Sequence, residues 1–355
     1  MLTALDLFAG AGGATQGFKD AGYRVLTAVE KSADAVRTFS ANHPEVRILE
    51  RDIRRVDPGA LRTSLKLSVG ELDLITACPP CQSFSTLGRM DAADSRNDLI
   101  SETERFAREF LPVAVVFENV PGVARDPRFE LLRVRLEDVG YHDFRAYDVF
   151  ASDFGVPQRR RRLIAIALRA GRGDVLPEEL GSILPKSFPV KPPDAGEVID
   201  LAGPIEGTTD PLHRARKPTP LVLERIRAIP PGGNRFDLPP HLRLDCHKRI
   251  KRKGAWAPYG RIWRLGPAPT ITTKCTTPSC GRFVHPTEHR GISLREAALL
   301  QTFPPRYRFE GGHGSIERQI GNAVPVRLAE ALGLAVTRCI KTVREGKATR
   351  AAQLF

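Results

Sequence analysis

One cysteine of this chain stands where a nucleophile would be useful. Cys81 follows Pro79 and Pro80, which end an apolar run over residues 71–78 that is typical of a buried strand. Open α/β folds collect their catalytic groups at the carboxyl ends of the strands, so a thiol in this loop is placed to attack a substrate. Free cysteine is also among the most buried residue types, and an inert, buried thiol is the alternative interpretation.

An acidic side chain is predicted to lie beside this thiol. Glu118 follows a second apolar run, over residues 113–117, and Pro121 just beyond it stops the strand. Because the carboxyl ends of neighbouring parallel strands meet at one edge of a sheet, Glu118 and Cys81 are expected side by side. A carboxyl group there could serve as a general acid. A solvated carboxylate is the simpler alternative.

A run of four arginines, residues 159–162, follows Gln158 and opens an apolar strand predicted over residues 163–168. Alternate side chains of an extended chain share a face. Gln158, Arg160 and Arg162 are therefore predicted to point one way and the other two arginines the opposite way. A solvated basic edge explains the second pair better than the first set.

A glycine-rich turn near the N-terminus favours a nucleotide-like ligand. Gly10 and Gly12 follow a short apolar strand at residues 4–9 and precede a helical stretch. Such glycines permit a tight turn and close approach of a ligand to the backbone. Glu30 ends the second predicted strand, about 20 residues further on, where a carboxylate can accept hydrogen bonds from ribose hydroxyls. Asp52 follows the third predicted strand.

The composition sets broad limits on the kind of protein. With 355 residues, 41% hydrophobic and 27% charged, the chain is an ordinary soluble protein that can bury one large and one smaller core. It has no apolar run of 18 residues and no signal-like N-terminus. Its six cysteines do not make a disulfide scaffold. We therefore expect a location in a reducing cytoplasm, which keeps Cys81 available as a thiol.

The basic residues are concentrated away from the N-terminal third. Residues 1–120 carry 14 Lys and Arg against 17 Asp and Glu, whereas residues 121–355 carry 40 against 24. A cluster at residues 248–253 adds five cations in six positions. This excess favours contacts with nucleic-acid phosphates, although arginine-rich chains can also be basic without binding nucleic acid.

The motifs, in their order, resemble those of the DNA (cytosine-5) methyltransferases. The matching segments are residues 6–13, 79–82, 118–120, 158–162, 290–296 and 319–325. The resemblance extends from residue 4 to about residue 335. It implies an α/β, Rossmann-like fold that binds S-adenosylmethionine, with a doubly wound, mostly parallel sheet and a second, smaller, irregular target-recognition domain.

The resemblance also implies a division of the chain. Residues 171–220 hold nine prolines and few apolar runs, which is typical of a linker leading into an irregular domain. The expected parts are a catalytic and S-adenosylmethionine-binding domain at 1–175, a linker and target-recognition domain at 176–312, a segment returning to the catalytic domain at 313–340 and a basic tail at 341–355.

Roles follow from the resemblance residue by residue. Cys81 is similar to the nucleophile, Glu118 to the acid that contacts the cytosine ring, and Arg160 and Arg162 to an arginine pair near the base carbonyl and the loop. In this interpretation Arg160 polarises the carbonyl at carbon 2. The positions similar to the cofactor pocket are Phe8, Gly10, Gly12, Glu30, Asp52, Ile53, Pro80, Leu99 and Asn322.

The implied reaction is methyl transfer to carbon 5 of a flipped-out cytosine in a specific short sequence of double-stranded DNA, through a covalent bond to Cys81. DNA contacts are expected from Gln82, Ser85, Arg96, Arg235, Lys248, Arg249, Lys251, Arg252, Arg261 and Thr270. No heptad pattern or exposed apolar helix suggests a dimer, so we expect a monomer. The resemblance adds a cognate restriction endonuclease as a possible partner, and a prokaryotic location with nucleoid association when bound to DNA.

Two other functions use the same residues. A transfer-RNA cytosine methyltransferase would share the catalytic set, although a basic recognition region favours duplex DNA. A catalytically inactive DNA-binding relative is opposed by the intact set of Cys81, Glu118 and Arg160.

No metal is expected. Cys78 and Cys81 have the spacing of a redox or zinc pair, but no second pair lies near them in the sequence. Cys275 and Cys280, with His285 and His289, are a weaker zinc candidate because four residues between the cysteines is at the loose end of the usual spacing.

Overall fold

Short apolar runs alternate with amphipathic stretches over the first half of the chain, and this alternation produces a layered arrangement of strands and helices. The computed structural model describes residues 1–80, 98–169, 175–245 and 258–352. The chain divides into two compact units. The first unit contains residues 1–150, 161–189 and 324–355, and the second contains residues 151–160 and 190–323. The domain limits predicted from sequence stay a prediction.

The elements of the described residues have the following bounds. The strands are β1 (Thr3–Leu7), β2 (Arg24–Glu30), β3 (Arg47–Glu50), β4 (Leu74–Ala77), β5 (Ala114–Asn119), β6 (Asp143–Phe150), β7 (Gln158–Arg159), β8 (Arg161–Leu168) and β9 (Ala268–Pro269). The α-helices are α1 (Gly13–Asp20), α2 (Ala33–Asn42), α3 (Pro58–Ser64), α4 (Ile100–Phe110), α5 (Pro127–Asp138), α6 (Ala195–Asp200), α7 (Pro220–Ala228), α8 (Leu294–Leu300), α9 (His313–Asn322) and α10 (Val326–Ala352).

Seven strands of the first unit form one sheet in the order β3-β2-β1-β4-β5-β8-β6. The strands from β3 to β5 run parallel, and β8 is antiparallel to both of its neighbours. Leu5 and Ile75 pack on one face against Phe106 of α4, whereas Asp6, the residue after Leu5, points to Thr15 of α1. Helices therefore cover both faces, and the predicted mostly parallel, doubly wound sheet is confirmed.

The last helix of the chain packs against the first. A Cβ atom added at Gly17 of α1 would lie 2.2 Å from the carbonyl oxygen of Val326, the first residue of α10. One added at Gly333 of α10 would lie 2.6 Å from Cβ of Ala21. The Tyr23 hydroxyl donates to the Gly333 carbonyl at 3.3 Å. Glycine on both surfaces thus lets the two backbones approach closely.

The second unit has its own small core, in which Ile226, Leu242 and Val284 lie buried together. In this unit the short strands β7 and β9 pair in parallel. The predicted alternation in burial over residues 158–162 is confirmed: Gln158 and Arg160 are buried and Arg162 largely so, while Arg159 and Arg161 are exposed. The extended chain is nevertheless interrupted at Arg160, between β7 and β8.

Within the described residues, no helix has the length and apolar character needed to cross a bilayer.

The contact between α1 and α10 can be tested by adding one methyl group. Gly17→Ala should destabilise the protein by about 1–3 kcal/mol, because the new Cβ overlaps a backbone oxygen that cannot move freely. Gly346→Ala is the matched control. It lies exposed on α10 with nothing near its Cβ position, so helix propensity should stabilise the protein by roughly 0.5–1 kcal/mol. Urea unfolding measures both effects, and equal changes in the two variants would contradict the packing.

Candidate active site

A buried ion pair marks the carboxyl end of β5. Glu118, the second-last residue of β5, accepts a hydrogen bond from Arg162 on β8, with Nε and Oε1 2.7 Å apart. Both side chains are about nine-tenths buried, at 10% and 11% exposure. The antiparallel register sets Glu118 opposite Ile164, so Arg162 reaches the same face two residues earlier along β8. The site therefore holds a fixed carboxylate beside a fixed guanidinium.

The next residue ties this pair to the loop that leads to the predicted nucleophile. Asn119 donates from Nδ2 to the Pro79 carbonyl at 3.1 Å, and its side-chain oxygen accepts from the Val120 amide at 2.9 Å. Cys81 lies outside the described residues, but the chain two residues before it is held at the end of β5. Sequence reasoning used Asn119 only as part of a motif and did not predict this bond.

The other cysteine of this loop is unsuited to attack. Burial raises the pKa of the Cys78 thiol well above its ordinary value, and the neighbouring negative charges of Glu118 and Asp6 raise it further. Because the thiolate is the reactive form, Cys78 stays an unreactive thiol at neutral pH.

A buried carboxyl group lies beneath the glycine turn. Burial raises the pKa of Asp6 to about 7, although Thr15 on α1 donates to its Oδ2 at 2.5 Å. Its other oxygen, Oδ1, has no hydrogen-bond partner among the described residues. No pattern in the sequence indicated this shift, because it depends on the depth of β1 within the sheet.

The glycine turn is fixed by the acid predicted to face a ribose. Phe8, Gly10 and Gly12 all have left-handed backbone, with φ of 66°, 54° and 89°. The Gly10 amide donates to Oε2 of Glu30 at 3.0 Å. Oε1 of Glu30 accepts from the amides of the two residues that follow it. The carboxylate at the end of β2 thus fixes the backbone of the turn.

The second predicted acid is also held in place. Hydrogen bonds from Arg54 lower the pKa of Asp52 to about 2, so Asp52 is ionised at any physiological pH. Ile53, next to it, is buried. Arg105 on α4 donates to the carbonyls of Ile53 and Val56 at 2.7 and 2.8 Å, which fixes the turn after β3.

The remaining cofactor candidates lie in different surroundings. Leu99 is buried and Pro80 is half-buried in the first unit, where the glycine turn and both acids also lie. Asn322 is exposed and ends α9 in the second unit.

The contacts of Arg160 are those of a structural anchor, and the catalytic role predicted for it stays a prediction. Its guanidinium is buried in the second unit, where Nη1 donates to the Ile271 carbonyl at 2.8 Å and Nη2 to the Gly321 carbonyl at 3.0 Å. Gln158 accepts from the Ile271 amide at 2.8 Å, so both residues hold the same backbone segment. Arg160 is a structural anchor, and Arg162 is the member of the pair that lies beside Glu118.

Arg261 makes a similar set of contacts. Its guanidinium is buried and donates to four backbone carbonyls, those of Ile226, Ile229, His285 and Glu288. These bonds give Arg261 a structural role, and the DNA contact predicted for it stays a prediction.

The other predicted DNA contacts fall into two groups. Arg235 is buried, with its guanidinium 4.6 Å from the centre of the Phe236 ring, and Thr270 donates to the Arg159 carbonyl at 2.8 Å. The rest lie outside the described residues, namely Gln82, Ser85, Arg96, Lys248, Arg249, Lys251 and Arg252.

The described residues contain no cluster of three or more His, Cys, Asp or Glu side chains placed to hold a metal ion. Of the weaker zinc candidates, Cys275 is buried and Cys280 is exposed. His285 accepts at Nδ1 from the Glu288 amide at 3.0 Å.

Charge separates the two units. The second unit contains 24 Lys and Arg against 13 Asp and Glu, a net of +11, whereas the first contains 30 against 28. Most of the chain's net charge of +13 therefore belongs to the second unit. A polyanion is the ligand that such a surface attracts.

The sheet order, the glycine turn and the acids at the strand ends together define the Rossmann-like fold of S-adenosylmethionine-dependent methyltransferases. The Dnmt2 methyltransferase of S. pombe has this fold, with a TM-score of 0.66 at 16% identity over 94% of this chain and 97% of that one. A mutant of Spodoptera frugiperda DNMT2 gives 0.63 at 19% identity over 94% and 99%.

The family follows from the sequence comparisons. The model of the C-5 cytosine-specific DNA methylases matches residues 2–338. The type II methylase M.HgiDII of Herpetosiphon aurantiacus is 34% identical over 355 residues, which covers 98% of each chain. The type II methyltransferase M.PspPI of a Psychrobacter strain is 35% identical over 347 residues, 95% of this chain and 79% of that one. The chain belongs to the C-5 cytosine-specific DNA methylase family and is a DNA (cytosine-5-)-methyltransferase, as the motif resemblance predicted.

The raised pKa of Asp6 predicts how stability depends on pH. The folded protein keeps the Asp6 proton up to about pH 7, whereas the unfolded chain releases it near the ordinary value of 3.8. This contribution to stability is present below pH 4 and is lost as pH rises through 7, by up to about 1.4 kcal/mol per pH unit. Asp6→Asn should remove it.

The quantity to measure is the difference in unfolding free energy between the wild type and Asp6→Asn from pH 4 to 8. The difference is required because burial lowers the pKa of His43 to about 4, and this group makes stability rise with pH over part of the same range. A difference that does not change with pH would contradict a raised Asp6 pKa.

Proposed function

We propose that this protein transfers the methyl group of S-adenosylmethionine to carbon 5 of a cytosine within a specific short sequence of duplex DNA. The observation that carries the proposal is the buried pair of Glu118 and Arg162, which Asn119 holds beside the loop leading to Cys81. A carboxyl group, a guanidinium and a thiol at one strand end suit acid-assisted nucleophilic attack on a heterocyclic base.

The residues of the first unit fit a nucleoside-bearing cofactor. A Cβ added at Gly10 would meet nothing within 4 Å, so the turn has room for a ligand against its backbone. Glu30 at the end of β2 would accept from ribose hydroxyls, and Asp52 with Ile53 would line the base. When bound, S-adenosylmethionine supplies a methyl group activated by a positively charged sulfur. The other proposed pocket residues of the first unit are Phe8, Gly12, Pro80 and Leu99, and the cofactor contact predicted for Asn322 of the second unit stays a prediction.

Cys81 provides the activation that carbon 5 of cytosine lacks. Its thiolate adds to carbon 6, and the ring electrons displaced by that addition make carbon 5 nucleophilic enough to take the methyl group. Loss of the proton on carbon 5 then returns an electron pair to the ring and breaks the bond between carbon 6 and sulfur. Cysteine suits both steps because a thiolate attacks well and leaves again.

Glu118 and Arg162 stabilise the charge that develops on the ring. Glu118 shares a proton with ring nitrogen 3, so the electron density pushed into the ring by attack is neutralised there. Arg162 orients Glu118 at 2.7 Å and is the guanidinium placed to polarise the carbonyl at carbon 2. This assignment moves the polarising role from Arg160 to Arg162.

The substrate must present a base that is normally stacked inside the duplex. Flipping it out costs a few kcal/mol, which contacts with the DNA backbone must offset. The second unit, with its net charge of +11, is the part of the chain suited to those contacts. The type II methylases among its relatives suggest a role in restriction-modification, with a cognate endonuclease as partner and a monomeric methyltransferase.

Replacing the nucleophile gives the first test. Cys81→Ser should abolish methyl transfer to unmethylated genomic DNA, because a serine hydroxyl is too weakly acidic to add to carbon 6, while S-adenosylmethionine binding stays unchanged. Transfer of labelled methyl, followed by bisulfite sequencing, measures methylation of the DNA. Calorimetry measures binding of S-adenosylmethionine. Turnover in the variant would rule out the covalent step.

The same assay separates the competing functions. Labelled methyl found in bulk transfer RNA and not in DNA would support the same methyl-transfer reaction but would show that the substrate is RNA. Label in neither, with cofactor bound, would indicate a DNA-binding relative without activity.

The two arginines should respond differently to the same substitution. Arg162→Lys is expected to lower kcat by about 10²-fold or more, because a point charge does not reproduce the fork that orients Glu118 and polarises the base. Arg160→Lys should instead lower the free energy of unfolding by about 1–3 kcal/mol, since buried carbonyls lose their donors, and should leave kcat of the folded protein largely intact. Steady-state kinetics and urea unfolding of both variants measure the split, and the reverse pattern would return the catalytic role to Arg160.

A further inference from the structure

Two large apolar side chains of the second unit are exposed close together in sequence. Trp263 is 51% exposed and Leu265 is 65% exposed. Arg264 between them is anchored to α6, where its Nη1 lies 3.1 Å from Oδ1 of Asp200. Single apolar residues scattered over a surface are normal, whereas large apolar side chains exposed together mark an interaction site. The contacts around Trp263 show whether its side chain is fixed in one position.

Trp263 is held in place by a glycine. A Cβ added at Gly232 would lie 2.7 Å from Cε3 of the indole ring, so the ring rests directly on the backbone there. Gly232 has a φ of 72°, a left-handed conformation that favours glycine. On either side, the Arg261 amide donates to the Gly233 carbonyl at 2.9 Å and the Gly266 amide to Asp194 at 2.6 Å. The exposed ring is thus pre-organised.

The net charge of the second unit indicates which kind of partner binds the surface at Trp263. The unit that carries Trp263 has a net charge of +11, so a second copy of the same surface would be repelled, whereas a polyanion would be attracted. DNA is a polyanion that also offers apolar sugar surfaces and, where the stack is opened, the flat faces of its bases. Proteins that bend or open a duplex insert rigid apolar side chains at base steps, and aromatic rings stack on exposed bases.

We propose that Trp263, with Leu265 beside it, is an apolar contact to the bases or sugars of the DNA substrate. The inference rests on the proposed function and adds to it a specific non-electrostatic contact in the second unit. It differs from a phosphate contact in one measurable respect. An apolar contact releases no counterions. It therefore adds to the affinity for DNA without changing the salt dependence of that affinity.

Trp263→Ala should therefore raise the Kd for substrate DNA about ten-fold or more, with the slope of log Kd against log salt unchanged. The KM for S-adenosylmethionine should not change. Trp263→Phe should recover part of the loss because it keeps an aromatic face. Leu221→Ala is the matched control, since Leu221 on α7 of the same unit is 49% exposed, and it should bind DNA as the wild type does.

Fluorescence reports the contact directly. The chain has two tryptophans, so Trp256→Phe leaves Trp263 as the single emitter. Adding a substrate duplex to this variant should quench or shift the emission of Trp263, and adding inorganic phosphate at the same ionic strength should not.

Each outcome decides the proposal. Wild-type DNA affinity in Trp263→Ala, or unchanged Trp263 emission at saturating duplex, would overturn it. So would a dimeric wild type that Trp263→Ala converts to monomers with DNA affinity intact, which would make this surface a contact between copies. If the wild type methylates no DNA, the proposed function fails, and the fluorescence titration with duplex still decides whether Trp263 contacts DNA.

Discussion

A charge buried at the end of a strand needs a partner, and the pair of Glu118 and Arg162 is the constraint on which the site depends. Leaving either ion alone in the interior costs several kcal/mol. The partner comes from β8, which runs antiparallel between β5 and β6 and so starts where β5 ends. A buried ion pair seldom stabilises a protein more than well-packed apolar residues would. Its presence at the carboxyl end of β5 is therefore best explained by chemistry, and Asn119 extends the same fixed geometry to the loop before Cys81.

The run of four arginines serves two purposes because the chain passes from one compact unit to the other within it. Arg160 is the last residue of a short segment of the second unit, and its guanidinium donates to the carbonyls of Ile271 and Gly321. Two residues later, Arg162 belongs to the first unit and faces Glu118. Equal spacing and equal chemistry in the sequence thus lead to an anchor in one unit and a candidate catalytic group in the other. Both arginines are largely buried because alternate side chains of an extended backbone share a face. Their roles differ because Arg160 donates to backbone carbonyls whereas Arg162 pairs with a carboxylate.

Local sequence patterns predicted the features that depend on the backbone, such as the positions of the strand ends. Features that depend on tertiary packing, such as side-chain contacts and pKa shifts, could not be predicted in this way. The strand ends carrying Glu30 and Glu118 could be located because apolar runs stop at prolines and polar residues. The anchoring of Arg261 could not be predicted, because a basic residue in a basic region has the same pattern whether it faces phosphate or carbonyls. The raised pKa of Asp6 was equally hidden, since it arises from burial under α1. Nothing local distinguishes Gly17, whose missing side chain admits α10, from a glycine in open solvent.

The division of charge between the units resolves a conflict within the proposed reaction. DNA requires a strongly positive surface, but the sulfur of S-adenosylmethionine is itself positive, and a positive field would repel it. Such a field would also lower the pKa of the attacking thiol and with it the intrinsic nucleophilicity of the thiolate. A first unit with 30 basic and 28 acidic residues, with Glu30 and Asp52 at its strand ends, avoids both penalties. The net charge of +11 on the second unit supplies the attraction that the proposed duplex substrate needs, while the unit that carries these strand ends stays close to neutral.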